Sequence, residues 1–353
     1  MTQNQFENRQ LTLVSRPEGA PGKDNFHAQT SPVPEIEDGQ MLLRTVYLSL
    51  DPYMRGRMSD AESYAEPVAI GEVMVGGTVN RVMASRHPDY KEGDWVVSYT
   101  VGWQDYGVSD GSMLFKLDPD YGPVSHALGV LGMPGFTAYM GLMDIGQPKA
   151  GETLVVAAAT GPVGATVAQI GKIMGCRVVA IAGGEQKRQH LESMGVDVAL
   201  DHKSADFARQ LAEACPSGID IYFENVGGKV FKAVLPLLNL CARIPLCGTV
   251  SGYNTSELPE GPDHLDMAWS TLQTRRVRVQ SFIIFDDYGH CYGEFSEHMS
   301  KWVADGAIQY REQIIEGLEQ APDALRGLLE GENFGKLVVR VGPDELVQSI
   351  EGQ

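Results

Sequence analysis

The stretch Glu152-Thr-Leu-Val-Val-Ala-Ala-Ala-Thr-Gly161-Pro-Val-Gly164-Ala-Thr-Val-Ala-Gln-Ile-Gly171 limits what the whole chain can become. Its opening run, Glu152 to Ala158, is short and apolar with paired valines, the pattern of a strand covered on both faces. Thr160-Gly161-Pro162-Val163-Gly164 supplies turn chemistry. From Val163 the apolar period lengthens: Val163, Val167, Ile170 and Met174 recur at helical spacing until Gly175 ends the run. Gly164, Ala168 and Gly171 share another side of that helix, where it can lie close to the strand. Strand, glycine turn and helix in this order open a dinucleotide-binding βαβ unit. Glycine admits a pyrophosphate to the backbone, and the free N–H groups of the first helical turn point at it. The usual G-x-G-x-x-G is incomplete, because Ala159 stands at its first glycine.

A second buried strand, Arg177 to Ala182, ends about twenty residues past the turn, where such folds read the cofactor ribose. Its tip is Gly183-Gly184, followed by Glu185-Gln186-Lys187-Arg188. A carboxylate there would repel a 2′-phosphate, whereas Lys or Arg pairs with one, so the tip favours NADPH over NADH. The alternative is that Lys187 and Arg188 are solvated residues of the following helix, and Glu185 weighs on that side.

Further strands are read at Asp197–Leu200, Ile219–Phe223 and Ala242–Cys247, with helical stretches between them. The fold class is therefore α/β, a doubly wound parallel sheet of the Rossmann kind over residues 135–304. Arg276 to Ile284 alternates and then turns apolar, as an edge strand does, and a helix follows from about Glu294 to Ala304. Residues 1–134 have a different grammar: short β-like pieces (41–48, 73–79, 94–99) between Pro, Gly and Asp clusters, the mark of a small antiparallel barrel. Gly335 to Val341 reads as a terminal strand that returns residues 305–353 to that first domain.

A net charge of −18 argues against nucleic acid and anionic membrane as partners, so an anionic cofactor must be held by a local basic pocket. No apolar run reaches the length of a membrane span, and the amino terminus has no apolar core of an export signal, which leaves the cytoplasm. The five cysteines (176, 215, 241, 247, 291) show neither CxxC nor framework spacing and read as reduced thiols. None precedes position 176, and His27, His87 and His126 are scattered, so no metal site is expected.

Leu48-Ser-Leu-Asp-Pro-Tyr-Met-Arg-Gly-Arg-Met58, Gly132-Met-Pro-Gly-Phe-Thr-Ala-Tyr139, Phe223-Glu-Asn-Val-Gly-Gly228 and Asn333-Phe-Gly-Lys336 resemble the zinc-free branch of the medium-chain dehydrogenase/reductase superfamily. That branch holds the leukotriene B4 12-hydroxydehydrogenase/prostaglandin reductases and the plant alkenal double-bond reductases. The resemblance spans essentially the whole chain. It implies a GroES-like β-barrel substrate domain from 1–134 and 305–353, a Rossmann NADPH domain from 135–304, and a homodimer; the strand 276–284 can pair with its copy across a two-fold axis, or lie as a covered edge within a monomer. It also implies hydride transfer to the C=C bond of a small apolar or aromatic enone such as curcumin. Carried over by position, Gly161, Pro162, Val163 and Gly164 hold the pyrophosphate, while Gly184 and Lys187 take the 2′-phosphate. His202 stands where the family often has a Tyr beside that phosphate. Asn225, Cys247, Gly248, Thr249, Val250, Ser251, Gly252, Tyr253, Phe282, Ile283, Ile284 and Asn333 contact the rest of the cofactor.

Reducing an enone leaves charge on the carbonyl oxygen and requires a proton at the α-carbon, tasks suited to neutral hydroxyls. The candidates are Tyr53, Tyr253 and Tyr64, the last on a lid-like segment 59–68; the alternative for each, and the stronger one for Tyr64, is an aromatic wall of the pocket. Trp103 and Met133 are candidate substrate contacts or core residues, and Arg55 and Arg57 steer phosphate or form internal pairs. Cys247 reads as packing. Two rival functions share the pattern: an NADPH:quinone reductase, and a redox-inactive NADPH-binding protein.

Overall fold

The computed structural model describes residues 7–119, 122–255 and 264–344; the first six residues of the amino-terminal reading lie outside them. The chain divides into two compact units, one of residues 1–128, 312–333 and 337–353, the other of residues 129–311 and 334–336. In chain order the first carries β1 (Glu7–Leu13), β2 (Phe26–Pro32), β3 (Met41–Ser49), α1 (Tyr53–Arg57), β4 (Thr78–Ser85), β5 (Trp95–Ser98), β6 (Tyr106–Ser109) and β7 (Leu114–Leu117). The second follows with α2 (Met133–Met140), β8 (Thr153–Val156), α3 (Pro162–Ile173), β9 (Arg177–Ala182), α4 (Glu185–Ser193), β10 (Val198–Asp201), α5 (Phe207–Ala214), β11 (Ile219–Phe223) and α6 (Gly228–Val234). It continues through β12 (Leu238–Leu246), α7 (Leu265–Thr274), β13 (Arg278–Ser281), α8 (Ile284–Tyr288) and α9 (Tyr292–Ala304). The chain ends with β14 (Glu312–Glu316), α10 (Ala321–Leu329) and β15 (Lys336–Arg340).

In the first unit one sheet runs β14-β15-β3-β4-β5-β7, with β6 also on β3, and β1 pairs with β2 separately. The ladders of β3 with β4, β6 and β15, and of β5 with β4 and β7, are antiparallel. The strand read at 73–79 is displaced to Thr78–Ser85. A Cβ on Gly76 would lie 2.8 Å from Leu48 Cδ1 and 2.9 Å from Met54 Cε, so the chain crosses the core too closely there for ladder geometry. Trp103 is fully buried and stacks on Phe26 at 5.1 Å, which makes it a core residue, the second of its two readings.

The second unit is a six-stranded sheet in the order β10-β9-β8-β11-β12-β13, each ladder parallel. Strand β8 shows why this stretch must be a buried strand. Leu154 and Val156 enter one core with α2, α3 and α9, while Val155 and Ala157 enter the other with α5 and α6. Leu154, Val155 and Val156 each contribute about 1.5–3 kcal/mol on burial. A helix on both faces leaves no room for polar alternation. The edge strand read at 276–284 is reduced to Arg278–Ser281: Arg276 takes a left-handed φ of 50°, and from Ile284 the chain turns into α8. Conversely, the strand read at 242–247 runs longer, from Leu238 to Leu246.

Candidate functional site

The strand order reverses direction between β8 and β11, and a parallel sheet opens its binding crevice at the carboxyl ends of strands flanking such a switch. The turn after β8 is tight. Ala158 adopts φ 50°, a conformation that costs an L-residue roughly 1–2 kcal/mol. Ala159 N–H donates to Ile181 O at 2.9 Å, and Gly161 N–H returns to Ala158 O at 3.0 Å. Gly161 caps α3 and Pro162 occupies its first turn. The N–H groups of Val163 and Gly164 have no intrahelical acceptor at such a terminus. A Cβ on Gly164 would stand 2.4 Å from Ala158 O, so only glycine lets the helix start this close to the strand. A cavity of about 190 Å³ opens beside this first turn, lined among others by Thr160, Gly161, Thr166, His190 and Arg311.

Across the switch point the turn after β11 is held from below by a buried acid, Glu224. Its Oε1 accepts from Tyr222 Oη at 2.9 Å, Val226 N at 2.7 Å and Gly227 N at 2.8 Å. Its carbonyl accepts from Cys247 N and Gly248 N at 3.0 and 3.2 Å. Burial lifts the Glu224 carboxyl above its ordinary value, against the pull of these donors. Asn225 donates its amide to Ala157 O at 2.8 Å, tying the two turns together. The segment Cys247 to Tyr253 then lies on the turn: Val250 N bonds to Asn225 O, and both Ser251 N and its hydroxyl bond to Val226 O. Tyr253 folds back so that its hydroxyl is 2.9 Å from where a Gly248 Cβ would be. The Cys247 thiol is pushed up to about 12, by burial and then by Glu224, and is inert at neutral pH.

At the tip of β9, Gly184 takes φ 93° and caps α4. Lys187 is half-buried, and burial followed by the charge of Lys203 lowers its pKa. Arg188 has other business: it pairs with Glu185 at 2.6 Å and with Glu192 one turn on. Its two partners at i−3 and i+4 remove it from the pair of cations read at this tip. His202 lies over Gly183, whose Cβ would come within 2.9 Å of Nε2 and 3.1 Å of Lys203 Cε. His202 Nδ1 is buried and has no hydrogen-bond partner among the described residues. Its pKa is lowered by burial, then by Lys229. Sequence reasoning missed Lys203, Lys229 and Glu224. Only Lys203, next to His202 at the end of β10, carried a signal.

Phe282 and Ile284 are buried in the core around β8, and Ile283 is half-exposed. Asn333 belongs to the first unit and is half-buried. Tyr53 opens α1 in that unit and feels the charge or dipole of Asp51, Arg57 and Tyr64, so the structure brings the DPYMRGRM block and the 59–68 segment together. Its surface is partly accessible, yet dense packing, then Asp51, raises its pKa far above that of a free phenol. Tyr64 is 60% exposed. Arg55 donates to the carbonyls of Pro17 and Gly19, and Arg57 to that of Glu66 at 2.6 Å, so both brace loops. Among the described residues no cluster of three or more His, Cys, Asp or Glu is placed to hold a metal, and all five cysteines are free.

Two family models match: the N-terminal domain of oxidoreductase at residues 9–117 and the zinc-binding dehydrogenase model at residues 162–305. The NADPH-dependent curcumin reductase of Escherichia coli (strain K12) is 62% identical over 346 residues, covering 98% of this chain and 100% of that protein. Prostaglandin reductase 1 of Mus musculus is 39% identical over 334 residues, covering 93% and 98%. The solved structure of CurA from Vibrio vulnificus in complex with NADPH matches with a TM-score of 0.92 at 61% identity, covering 95% of this chain and all of that one.

Proposed function

The chain belongs to the medium-chain dehydrogenase/reductase family, in the branch of the prostaglandin and 2-alkenal reductases, and on that premise we propose that it reduces the carbon–carbon double bond of α,β-unsaturated ketones with NADPH. What carries the reading is the full-length match, at 62% identity, to a protein named an NADPH-dependent curcumin reductase. The proposed substrate is an elongated aromatic enone of the curcumin kind, taken through its dihydro to its tetrahydro form.

The residues present fit the cofactor. His202 Nδ1 is a buried polar atom with no partner among the described residues, and Lys187, Lys203 and Lys229 surround the ring electrostatically. Such a site suits a doubly charged phosphate. Residues 135–304 form the cofactor side of the enzyme, and residues 1–134 with 305–353 the substrate side. The turn Gly161–Gly164 offers N–H groups to the pyrophosphate; Gly184, Lys187 and His202 receive the 2′-phosphate. Asn225, the segment Cys247 to Tyr253, the residues Phe282 to Ile284, and Asn333 hold the remainder.

NADPH, when bound, supplies a hydride to the β-carbon. The chain's own task is to hold the charge that gathers on the carbonyl oxygen and to see a proton onto the α-carbon. Tyr53, with its pKa raised by burial, keeps its hydrogen throughout the neutral range and so offers a permanent hydrogen bond to that oxygen. Tyr253, anchored on the turn after β11, and Tyr64, on the 59–68 segment, are the further hydroxyls proposed to complete protonation or wall the pocket.

The enzyme acts as a homodimer: β13 is an edge strand with all four residues exposed, and Val279, Leu240 and Trp269 are exposed apolar side chains. It works in the cytoplasm, a reading supported by five free thiols. The test is an NADPH-oxidation screen over curcumin, a short alkenone, a 2-alkenal and a benzoquinone, with NADH in parallel. Turnover of the enones with NADPH is expected. Turnover of the quinone alone makes the chain a quinone reductase, and cofactor binding without any turnover makes it a binding protein.

A further inference from the structure

His202 sits in an unusual electrostatic position. Its ring packs over the backbone of Gly183, which tolerates it because glycine has no Cβ to meet Nε2 at 2.9 Å. Three cations act electrostatically on the ring: Lys187 of α4, Lys203 next to it in sequence, and Lys229 of the first turn of α6. One anion opposes them. Asp201 attracts the ring, but its carboxylate is engaged in bracing, since it accepts Lys203 N–H at 2.8 Å and a backbone bond from Gly184. The local balance is therefore positive in a chain whose net charge is −18. Among the described residues no ion pair engages the ammonium of Lys203 or Lys229, and nothing meets His202 Nδ1.

A buried ring nitrogen without a partner is costly, and the half-buried Lys187 with the exposed Lys203 and Lys229 adds a positive field around it that an anion would complete. We propose that Lys203 and Lys229, with Lys187, complete the specificity cradle for the 2′-phosphate around His202, and that NADPH enters this cradle together with a proton taken up on the His202 ring. The inference rests on the NADPH reading above and adds to it the residues that discriminate and the protonation that accompanies binding. The direction follows from burial and from the charges around the ring. Before binding, burial and the three lysines hold the imidazole neutral, below its ordinary value. A phosphate placed among them reverses that field and stabilises the imidazolium, which donates from both ring nitrogens. Proton uptake then makes NADPH bind more tightly as pH falls through the interval between the two pKa values. NADH lacks the phosphate and gains nothing from the proton.

The experiment is calorimetric titration of the whole protein with NADPH and with NADH, in two buffers of different ionisation enthalpy, at several pH values between 5.5 and 8. The variants His202→Gln and Lys203→Met are run beside the wild type. The 2′-phosphate titrates by itself, with a second pKa of about 6. That contribution is common to all proteins, so the histidine is read from the difference between wild type and His202→Gln. The expected difference is a fraction of a proton up to one proton more taken up by the wild type on binding NADPH, and none with NADH. Lys203→Met should weaken NADPH roughly tenfold, the value of one lost charge-assisted contact, and leave NADH within a factor of two. Unchanged NADH affinity in both variants certifies the fold. Equal proton uptake in wild type and His202→Gln, with tight NADPH binding in each, overturns the inference and leaves the NADPH reading standing. Wild type that fails to prefer NADPH at all overturns both.

Discussion

Substituting the two glycines of the β8–α3 turn separates close packing from cofactor approach. Gly164 is helical, where alanine is favoured by about 1 kcal/mol. Against this, its Cβ would sit 2.4 Å from Ala158 O and 2.8 Å from Ala159 Cα, both well short of the 3.4 Å at which ordinary contact begins. The obstacles are backbone atoms of a strained turn, so the helix must retreat. Overpacking of this kind costs about 1–3 kcal/mol and backbone partners place it at the upper end, leaving Gly164→Ala net destabilised by about 2 kcal/mol. For a unit of this size that lowers the unfolding midpoint by roughly 4–8 °C. The retreat also withdraws the first-turn N–H groups, and loss of one hydrogen bond to a charged group weakens NADPH about 10–100-fold. Gly161→Ala has its nearest atom at 3.4 Å, so stability should stay within about 1 kcal/mol while the new methyl obstructs the phosphate. Thermal unfolding by circular dichroism and fluorescence titration with NADPH read the two effects. A Gly164→Ala protein that unfolds with the wild type, or a Gly161→Ala protein destabilised as much, refutes the packing argument.

Three further outcomes follow from the same geometry. Gly248→Ala places a methyl 2.9 Å from the Tyr253 hydroxyl, the far end of a movable side chain, so kcat should fall at least tenfold with the unfolding midpoint unchanged; a kcat equal to wild type removes Tyr253 from the reaction. The Glu224 carboxyl is raised by folding, so its contribution is fully present below about 4.5, its unfolded value, and is lost as pH rises through the folded value. Glu224→Gln, neutral throughout, should therefore gain stability relative to wild type as pH rises from about 4 to 7, and a pH-independent difference in melting contradicts this. Val279→Asp on the exposed edge strand should convert the proposed dimer to monomer in sedimentation velocity, and a variant that still sediments as a dimer excludes this edge as the interface.

Much of the fold was legible because the parallel sheet is written in local patterns. The runs 177–182 and 219–223 coincide with β9 and β11, since strands covered on both faces are apolar at most positions; only Asp220 interrupts the second run. The barrel side was less legible. Strand β4 begins where Gly76-Gly77 lets the chain clear Leu48 and Met54, a demand set by side chains far away in sequence. Trp103 reads as a pocket wall or a core ring until Phe26 is seen stacked on it. At the candidate site the same division holds. The role of Gly164 in packing follows from its neighbours in sequence, whereas Lys229 reaches His202 only because β11 and its turn carry α6 there. For Arg188 the structure favours the alternative of a helix-surface residue, which Glu185 and Glu192 signalled by standing at the helical spacings that pair charges.

The most direct test of hydride delivery to a conjugated double bond is isotopic. Curcumin turned over with NADPH deuterated at the transferred position of C4, in ordinary water, should yield product with one deuterium on the β-carbon and solvent hydrogen on the α-carbon, by NMR. Deuterium on the former carbonyl carbon, or unlabelled recovered enone beside unoxidised NADPH, would contradict the account.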